Sequence, residues 1–262
     1  MDFALVIVAA GFASALTMFS GFGLGTLLLP VFALFLPVEL AVAATAVVHG
    51  ANNVLKAALL GRSADFRLVT RFGLPAIVAA VGGVYVLTVL SGMPGGVSYT
   101  VAGRLAIITP VKVAMALLMA VFAVLELHPR FEKLEFDRRY LPLGGVLSGF
   151  FGGLSGHQGA LRSAFLSKVG VSPKAFVGTN AVIGLLVDLV RISAYSTLLF
   201  GENLGAMAES REGALVLAGT LAAFAGVLMA KTLLHKITML SVQRLTGAML
   251  VLIALLLGSG LI

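Results

Sequence analysis

Apolar residues run along this chain in ten blocks, at about 3–19, 24–36, 40–60, 72–90, 105–127, 141–154, 159–170, 175–199, 213–230 and 240–261. Runs this long and this apolar predict membrane helices. Two blocks are too short for that. Residues 24–36 and 159–170 rise 1.5 Å per residue as helices and cannot cross about 30 Å of hydrocarbon upright. Each reads as a half-helix or the returning arm of a hairpin. The tips are Gly-rich breaks, Ser20-Gly21-Phe22-Gly23-Leu24-Gly25 and Ser155-Gly156-His157-Gln158-Gly159. Backbone exposed at that depth is tolerated only where protein buries it or it lines a cavity.

The two breaks lie 135 residues apart, and Ser20 to Lys56 can be laid on Ser155 to Arg191 without a gap. Few residues are identical (Ser20, Gly21, Val42, Ala46 and Val47 match), yet polar positions fall on polar positions: Thr45 on Asn180, Asn53 on Asp188, Lys56 on Arg191. A duplicated transporter carries this signature. The expected fold is an all-α polytopic membrane protein of two inverted repeats, residues 1–127 and 141–262. Each repeat is a broken-helix hairpin plus three spans, giving eight to ten membrane segments, and residues 128–140 form a cytoplasmic linker.

Composition agrees, since 60% hydrophobic and 11% charged residues with a mean hydropathy of +1.09 cannot be wrapped around one soluble core. A net charge of +7 would suggest nucleic acid in a soluble chain. Here the basic residues sit in short loops and set orientation instead, so no nucleic-acid partner is expected. Placing 61–71, 128–140, 168–174 and 231–244 in the cytoplasm collects twelve of the 18 Lys and Arg there. The opposite orientation violates the positive-inside rule. Both termini are therefore expected in the periplasm, and the halves antiparallel. The apolar start carries only Asp2 as a charge and lacks the basic region of a signal peptide, so it reads as a retained first membrane element.

The candidate chemistry is that of an anion site. A half-helix starting at a Gly-rich tip presents free N–H groups and the positive end of its dipole, and glycine lets backbone approach a ligand. Gly21, Phe22 and Gly23 at one tip and Gly156, His157 and Gln158 at the other are the candidate contacts. Arg162, six residues past Gly156, supplies the charge. Intramembrane cations are costly and face a cavity or a partner. Asn53 and Asn180 add amides that can donate to an oxyanion, while Asn52 suits a bond between helices. Arg191 follows Asp188 by three residues on one helix face, which leaves a salt bridge and a ligand role equally open. His49 and His157 could carry a proton for coupling. Lys56 can snorkel to the cytoplasmic end. Lys112 follows Thr109-Pro110, where a kink would open the 105–127 span. With no cysteine and four scattered histidines, neither a metal site nor a cofactor is expected.

The opening run into Ser20-Gly21-Phe22-Gly23-Leu24-Gly25 with Leu29-Pro30, the Ala41-to-Asn53 helix, and Gly149-Phe150-Phe151-Gly152-Gly153-Leu154-Ser155-Gly156 leading to Gly178-Thr179-Asn180 together resemble the sulfite exporter TauE/SafE family, also called the toluene sulfonate uptake permease family. Where that family often has consecutive glycines, this chain has Gly23-Leu24-Gly25 and His157-Gln158-Gly159. The resemblance implies movement of small anions, sulfite, sulfonates or related sulfur compounds, across the bacterial inner membrane, with export the expected direction. A small anion and the lipid bilayer are the expected partners. Proton or cation coupling and a homo-oligomer stay open.

Two other readings use the same residues. A passive anion channel could employ the same tips and the same arginine. Gly153-Leu154-Ser155-Gly156 also spells the G-x-S-G of rhomboid intramembrane proteases, but that serine needs a base at its depth, and His235 lies in a basic loop. No enzymatic activity is expected.

Overall fold

The computed structural model describes residues 2–20, 24–101, 103–128, 136–166, 169–201, 209–233 and 239–262. The helices are α1 (Asp2–Ser20), α2 (Leu24–Ala33), α3 (Val38–Leu60), α4 (Phe66–Gly92), α5 (Pro110–Leu127), α6 (Leu141–Ser155), α7 (Gly159–Leu166), α8 (Pro173–Tyr195), α9 (Arg211–Leu233) and α10 (Met239–Gly258). Helix starts follow local capping chemistry. Ser172 accepts from the Ala175 N–H ahead of Pro173, and Asp65 accepts from the Arg67 and Leu68 N–H groups. The short pair is as expected: α2 has 10 residues and α7 has 8, so α7 is only about 12 Å long.

Among the described residues, α3, α4, α5, α8 and α9 are long and apolar enough to cross a membrane. The distribution of side chains is inverted relative to a soluble protein. Val78, Leu117, Leu228 and Leu255 are exposed, whereas Thr45, His49, Asn52, Asn53, Lys56, Arg162, Asp188 and Arg191 are buried. Apolar surface facing outward and polar side chains facing inward suit a lipid solvent. The chain is an all-α polytopic membrane protein.

Among helices that are not consecutive in the chain, the major packing pairs are α4 with α6, α1 with α9, α3 with α8, α5 with α10, α3 with α9 and α4 with α8. Replacing every helix by the one five places along the chain leaves this set unchanged. Close approach depends on small residues. A side chain on Gly145, Gly149 or Gly153 of α6 would collide with the Phe72, Ala76 or Ala80 carbonyl of α4, and one on Gly226 of α9 would collide with the Gly11 carbonyl of α1. The contacts also gather the helix ends. Asp2 pairs with Arg211, the Asp65 N–H donates to Thr179 Oγ1 at 2.9 Å, and Arg138 donates to the Val169 carbonyl.

One segment differs from the sequence expectation. Residues 105–108 do not begin a span; they pair as β2 (Arg104–Ile108) with β1 (Val97–Val101) in an antiparallel hairpin. The Ile107 N–H donates to the Gly260 carbonyl at 2.9 Å, tying the hairpin to the chain end. Thr109 caps α5 and Pro110 takes its first position, where a missing N–H costs nothing. Pro110 therefore kinks no span. Lys112 sits in the first turn, with Nζ donating to the Ile107 carbonyl at 2.9 Å, at the hairpin end of α5.

Candidate anion site

α3 and α8 pack against each other, and their polar faces meet. Asn53 and Asp188, matched by the internal repeat, touch: Asn53 Nδ2 donates to Asp188 Oδ2 at 2.8 Å. His49, one turn before Asn53, puts Nδ1 2.6 Å from the same oxygen. A carboxylate only accepts, so Nδ1 carries the hydrogen. Gln158 Nε2 donates to Asp188 Oδ1 at 2.9 Å, and Arg191 places Nε at 2.9 Å and Nη2 at 2.8 Å from that oxygen. Four N–H donors from α3, α8 and the turn before α7 thus hydrogen-bond one carboxylate that is 0% exposed, and Arg191 Nη2 adds an ionic contact. The salt bridge between Asp188 and Arg191 exists.

Arg162 is placed differently. It is 3% exposed, donates from Nε to Asn180 Oδ1 at 2.8 Å and from Nη1 to Gln158 Oε1 at 3.2 Å. Asn180 Nδ2 is committed to the Phe176 carbonyl, which turns its oxygen toward the guanidinium. Among the described residues Arg162 has no carboxylate partner, only neutral amides. Gln158 bridges it to Asp188, one end of the amide on each.

Gly184 of α8, absent from the sequence-based candidates, makes this packing possible. A Cβ there would stand 2.6 Å from Asn53 Nδ2 and 3.0 Å from Arg162 Nη1. Its repeat counterpart is His49, so the matched helices carry a bulky polar residue on one side and the space for it on the other. Gly152 serves Gln158 similarly, at 2.9 Å from its Cβ.

The second break forms as expected, with Gly156 left-handed at φ +80°, a conformation that favours glycine. Gly25 of the first break lies against it, a Cβ there falling 2.9 Å from the Gly156 carbonyl oxygen. Gly21, Phe22 and Gly23 lie outside the described residues. His157 is buried but stands apart from the Asp188 cluster. Its ring stacks on Phe122 of α5 at 4.6 Å, and Nδ1 meets the Ser155 carbonyl at 3.1 Å and Oγ at 3.0 Å. Ser155 Oγ donates to the Phe151 carbonyl. The imidazole therefore closes the turn by donating, the reverse of a general base drawing a proton from a nucleophile.

Lys56 does not snorkel. It is 6% exposed and turns inward, Nζ donating to Thr17 Oγ1 at 3.1 Å. Arg191 Nη1 donates to the Gly152 carbonyl at 2.9 Å, and residues 17 and 152 are themselves repeat counterparts. Matched cations thus hold matched positions. Asn52 is the interhelical bond expected of it, accepting from Ser14 Oγ at 2.8 Å. Two further polar residues escaped sequence reasoning. Tyr195 donates to the Gly153 carbonyl. Thr45 Oγ1 is buried beside the break with no hydrogen-bond partner among the described residues, and its match to Asn180 was the available signal.

Among the described buried residues the cluster thus sets three cations, Lys56, Arg162 and Arg191, against one carboxylate, Asp188. A buried, amide-lined cluster with that excess of positive charge has the chemistry an anion would offset. A family model described as sulfite exporter TauE/SafE matches residues 4–257. No curated protein and no solved structure matches the chain.

Proposed function

The chain belongs to the sulfite exporter TauE/SafE family, and from that premise we propose that it exports small sulfur oxyanions, sulfite or organic sulfonates, across the bacterial inner membrane. The substrate binds in the buried cluster between the two halves. The excess of buried cations at the α3–α8 crossing carries this reading, with Arg162 held by neutral amides as the group that meets the anion. A planar guanidinium can engage two oxygens of a sulfonate at once. The family and the inward polar faces favour a carrier. The exchange symmetry of the packing pairs supports two inverted repeats, residues 1–127 and 141–262, rocking about the site in alternating access. Uptake and efflux by proteoliposomes across sulfite, alkyl sulfonates, sulfate, chloride and acetate test it. Saturable transport confined to sulfur oxyanions is the expected result. Equal, non-saturating flux of chloride would mean a channel, and no flux of any anion would end the reading.

The orientation proposed with it puts both termini in the periplasm and 61–71 and 128–140 in the cytoplasm. The contacts of Asp2 with Arg211 and of Ile107 with Gly260 join segments that this layout puts on one side. Those of Asp65 with Thr179 and of Arg138 with Val169 join segments on the other. Because the chain has no cysteine, single cysteines report cleanly. An impermeant thiol reagent added to intact cells is expected to leave a cysteine at residue 65 unmodified and to label one at residue 95; the converse pattern would invert the layout.

A further inference from the structure

Asp188 now occupies what an oxyanion would need. Its two oxygens take four N–H donors, one each from His49, Asn53, Gln158 and Arg191, and a sulfonate presents the same chemistry of partly negative oxygens to the same donors. Two anions cannot share them in a buried site, because like charges so close repel strongly. The groups that could offset the added charge are few. Arg191 and Tyr195 lie on Asp188's own helix, His49 and Lys56 on α3, Arg162 on α7, and His157 in the break beyond Gly156. α4 has no charged side chain between Arg71 and its end, α6 has none, and α1 has only Asp2 at its far end. Of the helices packed on α3, α9 is charged only near its ends, at Arg211, Glu212 and Lys231, and α5 carries Lys112 in its first turn and Glu126 in its last, neither in contact with Asp188. The arginines and the lysine are already cationic, and tyrosine gains nothing from an approaching anion. His157 keeps a buried Nε2 with no partner among the described residues, but its contacts are with Ser155 and Phe122, not with Asp188. What can change protonation in direct contact with the displaced carboxylate is the imidazole–carboxylate pair itself, joined at 2.6 Å.

Resting on the anion-carrier reading, we infer that the anion is bound together with one proton, which lodges on the His49–Asp188 pair as the anion takes over the donors Asp188 holds. The proton comes from bulk water, and the pair passes from a neutral imidazole with a carboxylate to a form one charge more positive. The anion's charge is thereby compensated where it binds. Linkage fixes the sign: if anion binding draws in a proton, lowering the pH must tighten anion binding by the same coupling. Asn53, the repeat counterpart of Asp188, cannot hold a proton in this way, so the duplicated site is acidic on one side only.

Methanesulfonate is the probe, because it does not itself titrate near neutrality and any proton taken up belongs to the protein. Binding to the purified full chain in detergent is measured by calorimetry in buffers of different ionisation enthalpy, between about pH 5.5 and 8.5. The expected result is uptake approaching one proton per anion over part of that range. Affinity there should fall by up to about tenfold per pH unit as the solution becomes alkaline, the limit for one linked proton. Asp188→Asn is expected to bind with no such slope. Binding by the wild-type chain without proton uptake and with flat pH dependence would overturn this inference and leave the anion site standing. A slope that persists in folded Asp188→Asn would overturn it too. Absence of methanesulfonate, ethanesulfonate and sulfite binding at every pH would remove the carrier reading and this inference with it.

Discussion

Arg162→Gln is expected to weaken binding of sulfite or an alkyl sulfonate about 100-fold, the effect of losing roughly 3 kcal/mol of charged hydrogen bonding. The reason lies in the partners of this guanidinium. Arg191 spends its charge on Asp188 at 2.8 Å, and Lys56 is turned to Thr17. Arg162 is equally buried but rests on the oxygens of Asn180 and Gln158. Those oxygens orient a guanidinium and do not neutralise it. Glutamine keeps a donor of similar reach and removes the charge, so the fold should survive better than the affinity. Arg162→Lys should recover part of the binding, because an ammonium keeps the charge without the fork that spans two oxygens. Affinity of folded Arg162→Gln equal to wild type, measured by calorimetry with sulfite, would remove Arg162 from the site.

Arg191→Gln is expected to damage the molecule rather than the affinity alone. Asp188 is 0% exposed, and removing one partner of a buried ion pair leaves the other charge uncompensated, at a cost of about 3–5 kcal/mol. Arg191 also ties α8 to the end of α6 through the Gly152 carbonyl, so its loss loosens the break that positions Gln158. The thermal midpoint in detergent should fall sharply. The double variant Asp188→Asn, Arg191→Gln should be less damaged than Arg191→Gln, since no unpaired charge of that pair remains, and the coupling is read from the four-way comparison. Additive losses in that cycle would mean that the two residues act separately. A sulfonate added to Asp188→Asn should raise its midpoint more than it raises that of wild type, because the ligand restores the missing negative charge.

Much of the architecture was legible because lipid imposes a simple code. Spans must be apolar for some twenty residues, so their number and order could be read directly, and blocks 24–36 and 159–170 were visibly too short. The 135-residue repeat was legible for the same reason: polar residues are so costly within spans that even a few matched ones, Asn53 with Asp188 and Lys56 with Arg191, mark equivalent positions. The hairpin at 97–108 was not legible. Its second strand, with Leu105, Ile107 and Ile108, is as apolar as a span, and hydropathy cannot tell a short apolar strand from the first turns of a helix, while the more polar first strand, Val97–Val101, reads as loop.

At the site, the sequence by itself determined which residue types would be buried in the membrane interior: the cations Arg162 and Arg191, the carboxylate Asp188, and the amides and imidazoles around them. Their presence inside apolar blocks admits little else. Which cation would be paired and which would keep its charge was decided only by the tertiary structure. Spacing predicted the Asp188–Arg191 contact one helical turn apart. The other donors to Asp188 come from α3 and from the turn before α7, distant in the chain and brought together by the crossing of two repeat-matched helices. Lys56 makes the same point, since a flexible stem near a helix end can snorkel or turn inward, and only the neighbouring Thr17 of α1 settles which. Gly184 shows it most plainly. Its value lies wholly in the atoms that fill the space where a side chain would be, and those atoms belong to Asn53 and Arg162, residues that only packing could place beside it.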